Sequence, residues 1–275
     1  MTNTKLPIKQ GEMLCTTTIR IECYDLNGNS CSGTGFYYNI EKPSGYVPVV
    51  ITNKHVFNNM RSVKLVFTKS DDFGNRINEH FTFQIDDFLI GVINHPDVDV
   101  DLCALTLLHI LEDLRSKGIE IHTYFINKSI IPNHHDLQNL DAIEEILMIG
   151  YPNGIWDKIN NLPLVRRGIT STDPKICYNG KREFLIDAAC FPGSSGSPVF
   201  YLDRTYKTEI GNNSLGHKIF LLGILYAGPT QEIEGRVENR ESRVKIYSNV
   251  MMNLGHVISS SRLLELESEI EKKLI

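Results

Sequence analysis

Short runs rich in Val, Ile, Thr, Tyr and Phe recur along most of this chain, each closed off by Gly, Asn, Asp or Pro. β-Branched and aromatic side chains fit a pleated, half-buried surface, so a chain punctuated in this way is committed to sheets. A first set of runs covers Thr16 to Tyr24, Gly35 to Tyr38, Val47 to Thr52, Val63 to Thr68 and Phe81 to Ile85. A second set covers Ile146 to Gly150, Phe184 to Ala188, Ser197 to Tyr201, Ile219 to Tyr226 and Arg243 to Val250. Asn27-Gly28-Asn29 between two runs predicts a hairpin. A polar bridge separates the sets, with helical stretches at Leu107 to Lys117 and around Leu140 to Ile146. In the tail from Ser261 to Leu274, Leu263, Leu266, Ile270 and Leu274 return at helical spacing, and Ser259 to Ser261 offer N-caps. Two strand sets and a terminal helix predict an all-β fold of two packed antiparallel barrels.

At 275 residues the chain can bury a large core in one domain or two small ones. Lys and Arg total 28 against 33 Asp and Glu, a formal charge of −5, so no electrostatic footprint for a nucleic-acid backbone or an anionic membrane is expected. Met1 to Gln10 is polar, with no signal-peptide core, and no run approaches the roughly 20 apolar residues of a membrane helix, so a cytoplasmic location is expected. Cysteines stand at 15, 23, 31, 103, 177 and 190, with no CxxC pair and no Cys/His spacing for zinc. In a reducing compartment they stay free thiols, and neither metal nor cofactor is expected.

The chemistry concentrates in Asp187-Ala188-Ala189-Cys190-Phe191-Pro192-Gly193-Ser194-Ser195-Gly196-Ser197-Pro198. A serine hydroxyl needs sharp presentation and an adjacent base to act as a nucleophile. Glycines at 193 and 196 permit a tight turn that a Cβ would obstruct. The N–H groups of Gly193 and Ser195 could then converge as an oxyanion hole. A plain surface turn is the competing reading, but the apolar runs on both sides argue against a linker.

Gly193-Ser194-Ser195-Gly196-Ser197-Pro198 resembles the G-x-S-G-G-P box of chymotrypsin-like peptidases, with Ser197 in place of a glycine. Asp187-Ala188-Ala189 is similar to the matching segment of high-temperature-requirement (Deg-type) bacterial proteases. The resemblance implies two six-stranded barrels, at about 12–112 and 141–258, a terminal helix at 261–274, and Ser195 as nucleophile. The implied base is His55, because Val49-Val50-Ile51-Thr52-Asn53-Lys54-His55-Val56 resembles the family's T-[AN]-x-H-[CV] block. Ser32-Gly33-Thr34-Gly35-Phe36 is similar to the strand that precedes it.

The implied orienting acid is Asp101, since Asp101-Leu102-Cys103-Ala104-Leu105 fits D-[IVL]-A-[VLI]-[LI] with Cys103 in the alanine place; Asp99 is the fallback. On a strand, Asp97, Asp99 and Asp101 would share one face. A calcium loop fails on Leu102 at its sixth position and Leu108 at its twelfth. Ile149-Gly150-Tyr151-Pro152-Asn153-Gly154 and Arg167-Gly168-Ile169 look like the start of the second barrel, and Gly223 to Gly228 like the strand that pairs with substrate. Val244 to Val250 resembles the last strand before the terminal helix, and no PDZ-like segment follows.

The implied reaction is peptide-bond hydrolysis through an acyl-enzyme, with a protein or peptide substrate and scope for a regulatory protein partner. The expected specificity pocket has Ala189 at its floor and Tyr226, Ala227, Gly228 and the strand Lys245-Ile246-Tyr247 as walls, with no acidic residue. Secreted members carry Asp before the nucleophile to pair with a newly cut N-terminus; Ser194 has no charge for that role. Two rivals remain open. An α/β-hydrolase esterase would draw on Asp203 with His217 or His256, although Gly193 to Ser197 ends in Ser where its elbow needs Gly. A non-catalytic binding or regulatory module on the same fold would need a blocked cleft.

Overall fold

Hairpin chemistry sets the frame of the first strand set. Helix α1 (Gln10–Thr16) leads into β1 (Thr18–Tyr24), which turns back into β2 (Ser30–Lys42) at the Asn27-Gly28-Asn29 signal. The Asp25 carboxylate closes this turn by accepting from the N–H groups of Asn27 and Asn29, both at 2.8 Å, while Gly28 takes φ +81°. The same Asp-x-x-Gly-Asn spacing recurs at Asp71 to Asn75, joining β4 (Ser62–Ser70) to β5 (Arg76–Asp86). The computed structural model describes residues 9–43, 45–203, 218–238 and 243–274.

With β3 (Gly45–Thr52), β6 (Val92–Asn94) and β7 (Cys103–Thr106), these strands form one sheet in the order β5-β4-β1-β2-β3-β7-β6. The first barrel is expected to hold six strands; the sheet has seven, and its ladder ends at β5 and β6. Short β6 accounts for the extra strand: Ile93, in the middle of Val92–Asn94, pairs with Ala104. After β7 come α2 (Leu108–Ser116) and α3 (His134–Gln138). The helical stretch expected around Leu140 to Ile146 is instead a turn entering a strand, because Glu144 N–H is captured by Thr170 Oγ1 at 2.8 Å.

The second set closes. β8 (Glu145–Gly150), β9 (Leu164–Thr170), β10 (Glu183–Asp187), β11 (Pro198–Asp203), β12 (Lys218–Ala227) and a later strand form a barrel in the order β10-β15-β12-β11-β8-β9, where β15 is Leu254–Ser259. Between β12 and β15, β13 (Thr230–Glu238) and β14 (Arg243–Met251) pair only with each other, as a separate ribbon. The last strand before the terminal helix is therefore β15, not the expected Val244 to Val250. Val257 and Ile258 of β15 are buried, whereas Ile246 and Tyr247 are about half exposed (49% and 56%). Every ladder between named strands is antiparallel, which rules out the doubly wound sheet of an α/β-hydrolase.

Helix α4 (Arg262–Lys273) ends the described chain close to the expected span. Ser261 stands at its N-cap, but its hydroxyl pairs with Ser259 Oγ at 3.1 Å and makes no cap bond.

Three clusters of buried side chains explain the layering. One fills the first sheet's concave side (Ile19, Ile21, Tyr37, Val50, Leu65, Phe67) and one the closed barrel (Ile146, Phe184, Ile186, Val199, Leu225, Val257). The third lies between them. Phe36, Tyr38, Ile40, Val49 and Ile51 from the outer face of β2 and β3 meet Ile149, Phe200, Leu221 and Ile224 of the barrel and Leu263, Leu266 and Ile270 of α4. Burial on both faces is why β2 and β3 read as continuous apolar runs and lack a polar alternation.

Candidate active site

The turn holding Ser195 is set by its glycines. Gly193 has φ +85° and Gly196 φ +86°. A Cβ on Gly196 would lie 1.9 Å from Thr34 O, and one on Gly193 2.7 Å from Tyr151 O. Neither position admits a side chain. Both strand sets grip the turn. From β2, Thr34 N–H donates to Ser195 O (2.8 Å) and Thr34 Oγ1 to Gly193 O (2.9 Å); from β12, Leu225 O accepts Gly196 N–H at 2.8 Å. Thr34 Oγ1 also accepts Tyr151 N–H at 3.0 Å, and Thr52 Oγ1 donates to Thr34 O at 2.7 Å.

Two backbone donors in this turn stay unused. Pro192 O accepts from Asn153 N–H at 2.5 Å and Ser194 O from Ser197 N–H at 3.0 Å. In a trans peptide the C=O and N–H point opposite ways, so the N–H groups of Gly193 and Ser195 face away from those partners. Neither donates a hydrogen bond among the described residues. The Ser195 side chain is partly exposed, with its hydroxyl 3.4 Å from the carbonyl of Tyr226. That carbonyl is offered by an irregularity in β12 between Leu225 and Ala227, where the ladder to β15 skips Tyr226. Ser194 is 1% exposed and its hydroxyl has no partner.

His55 follows β3 on a single 3₁₀ turn, Lys54–Val56. Its N–H donates to Asp101 Oδ1 at 3.0 Å, and its Nδ1 lies 2.5 Å from Asp101 Oδ2. A carboxylate only accepts, so Nδ1 carries a proton, and in the neutral ring that makes Nε2 the acceptor. Asp101 is fixed in turn by Asn53 Nδ2, which donates to its carbonyl at 2.7 Å.

The three aspartates do not share a strand face as the alternation predicts, because Asp97 to Asp101 form a loop ahead of β7. Asp97 binds Arg262, Asp99 is exposed, and of the three only Asp101 contacts His55.

A cavity of about 120 Å³ opens beside Ser195. Cys190, Phe191 and Pro192 line it from the nucleophile segment, Leu225, Ala227 and Gly228 from the end of β12, and Met251 from β14. Burial pushes the Cys190 thiol up to about 11, so it is neutral, and among the described residues no carboxylate lines the cavity. Ala227 and Gly228, expected as walls, line this cavity; Ala189, expected as its floor, does not, while its neighbour Cys190 does. The Tyr226 ring turns away, its hydroxyl donating to Glu183 Oε2 at 2.9 Å. Lys245 lies on the ribbon, 57% exposed and paired with Glu234 at 3.1 Å, and Met251 from the same strand reaches the cavity instead.

Sequence reasoning missed the wall residues Cys190, Phe191, Leu225 and Met251, and the clamp Thr34. Only Thr34 carried a signal, in its position between Gly33 and Gly35. Of the esterase candidates, His256 packs 5.8 Å from the Tyr226 ring, and His217 lies outside the described residues. All six cysteines are free. No helix of the described residues is long and apolar enough to cross a membrane.

Residues 33–205 match a family profile described as the trypsin-like peptidase domain. No curated protein matches the chain significantly. Among solved structures, it is similar to the active form of the Rv3671c protease from M. tuberculosis, at 12% identity over 98% of this chain and 93% of that one, with a TM-score of 0.47. It is also similar to a serine endoprotease from Yersinia pestis, at 15% identity over 98% and 69%, TM-score 0.49. A third match is catalytically active tobacco etch virus protease complexed with product, at 12% identity over 97% and 84%, TM-score 0.48.

Proposed function

The chain belongs to the trypsin-like peptidase domain family, and from that premise we propose that it is a serine endopeptidase using Ser195, His55 and Asp101. His55 Nε2 takes the Ser195 proton as the hydroxyl attacks the scissile carbonyl, then returns it to the leaving amine. Asp101 keeps the proton of the neutral ring on Nδ1 and stabilises the imidazolium that forms. The N–H groups of Gly193 and Ser195 receive the negative charge of the tetrahedral intermediate, and an acyl-enzyme on Ser195 is then hydrolysed by water. Substrate backbone pairs with the end of β12 at Tyr226 to Gly228.

The observation that carries this reading is the 2.5 Å contact of His55 Nδ1 with Asp101 Oδ2, in a protein whose glycine-bounded serine turn leaves two N–H donors free. The test is labelling by a fluorophosphonate, followed by peptide mapping. The expected result is one adduct on Ser195, absent from Ser195→Ala and from denatured protein. A folded wild-type protein that takes no label would falsify the proposal and leave a binding module as the better description.

A further inference from the structure

Asp101 reaches His55 from the far end of a loop that belongs to no strand, so something must hold that loop still. Its first residue, Asp97, is gripped from outside. Asp97 Oδ2 accepts from Arg262 Nη2 at 2.5 Å, across 165 residues of sequence. Arg262 is the first residue of α4, with a side chain only 11% exposed. Its other amino group donates to Glu265 Oε1 at 3.2 Å, one turn along the helix.

Glu265 also binds Arg182 and lies 3.4 Å from Nε2 of buried His95. His95 Nδ1 accepts the N–H of Asp97 at 3.0 Å. The circuit then returns to the base: Lys54, the residue before His55, donates from Nζ to Asp97 O at 2.9 Å. Asp97 thus joins the terminal helix through its carboxylate and the turn of His55 through its carbonyl.

We propose that Arg262 is a positioning residue for the His55–Asp101 pair, acting through Asp97; this rests on the endopeptidase reading above. Fastening the helix is not its main use. Leu263, Leu266 and Ile270 already bury α4 in the core between the strand sets, and three buried apolar side chains outweigh one half-wet ion pair. What the guanidinium adds is direction, because its planar fork serves Asp97 and Glu265 at once, which an ammonium does less well. Its charge and hydrogen bond hold the Asp97 carboxyl below the usual range.

The test uses Arg262→Gln, Arg262→Lys, Asp97→Asn and the double Asp97→Asn/Arg262→Gln. Asp97→Asn keeps an acceptor for the Asp99 N–H while setting an amide donor against Arg262. Three quantities are read: kcat and KM on a cleaved peptide, thermal midpoint, and the downfield proton resonance of His55 Nδ1–H, which needs no turnover. The expected result for Arg262→Gln is a fall in kcat of roughly 10-fold or more, with KM within about twofold and the resonance broadened. Arg262→Lys recovers part of both, and the double variant is no worse than the poorer single. Lys273→Gln, which removes an ion pair with Glu269 on the same helix, should move neither kcat nor the resonance.

The proposal is overturned if folded Arg262→Gln keeps wild-type kcat and a sharp resonance, or if the two single effects simply add. Should Arg262→Gln not fold, Asp97→Asn on the exposed loop carries the same decision. Wild-type protein that shows the resonance but takes no fluorophosphonate defeats the peptidase reading alone, and the resonance still decides whether Arg262 positions the pair.

Discussion

Two neighbouring serines share one turn, and burial separates their roles. Ser194 is enclosed and its hydroxyl unpartnered, so Ser194→Ala removes a buried polar group at no loss of hydrogen bonding. Its expected outcome is unchanged cleavage and equal or higher stability. Ser195→Ala should lower turnover by on the order of 10⁴- to 10⁶-fold with the fold intact, and His55→Ala by a similar factor, with the double variant little worse. Steady-state assays beside thermal melts decide this, and loss of activity in Ser194→Ala would reverse the assignment.

A second residue-scale case is Glu267 of α4, 7% exposed beside Tyr38, whose own hydroxyl is buried without a partner. Burial pushes its carboxyl up to about 7 from an ordinary 4.5, with Lys128 opposing the shift and Glu271 and Glu41 adding to it. A folded pKa above the unfolded one means the folded state binds more protons between the two values. The stabilising contribution is therefore full below about 4.5 and is lost as pH rises towards 7, by roughly 3 kcal/mol at most. Urea unfolding at about pH 5 and about pH 8 tests this, because Glu267→Gln should flatten the difference seen in the wild type. Equal slopes for the two proteins would exclude the effect.

Elements written in local chemistry are legible in the amino-acid sequence alone. The Asp-x-x-Gly-Asn turn after β1 needs only an aspartate to cap it and a glycine at positive φ, and the α4 stripe needs only its own periodicity. The ribbon is not legible in this way. Thr230 to Glu238 (TQEIEGRVE) carries only Ile233 and Val237 as apolar side chains among polar and charged ones, and β14 reads like a barrel strand until β15 takes the barrel position through buried Val257 and Ile258. The cavity walls are hidden for a related reason, since they are fixed by the irregularity in β12 and by how the ribbon folds back to bring Met251 in. By contrast His55, Asp101 and Ser195 each sit in a short local motif, and the loop that separates Asp101 from Asp99 only sharpens that choice.

At this scale the cavity makes a prediction. A Lys or Arg side chain entering it would bury a cation against Phe191, Met251 and a neutral thiol, with no carboxylate among the described lining residues to pair, a heavily penalised state. Fluorogenic peptides varied before the scissile bond should show preference for small or apolar residues. Lys245→Ala should leave that preference unchanged, because Lys245 is exposed, pairs with Glu234 and does not line the cavity. A clear preference for basic residues, or its alteration by Lys245→Ala, would refute the pocket described.

Across the whole molecule, the middle core should make one cooperative unit of two strand sets. Phe200, fully buried between them, should cost roughly 3–5 kcal/mol on replacement by Ala, measured by denaturant unfolding as a shift of a single transition. Two separated transitions in the wild type would contradict this. Activation belongs at this scale too. The Ser195 turn is held by Thr34, Asn153 and Leu225, with no charged group at Ser194 waiting for a new terminus. A tag fused ahead of Met1 should therefore leave turnover unchanged, and strict dependence on cutting the N-terminus would exclude that arrangement.

The clamp of Thr34 on the Ser195 turn also bears on how such a protein is made. A ribosome releases β2, His55 and Asp101 long before the serine, and the serine before the helix that carries Arg262. On the proposed assignment each half of the chain arrives inert, since neither contains both Ser195 and His55. Even a finished polypeptide presents its hydroxyl in register only after the early strands have closed on the late turn. On that assignment synthesis acts as a safety catch, because a copy truncated before the serine has nothing with which to cut its neighbours.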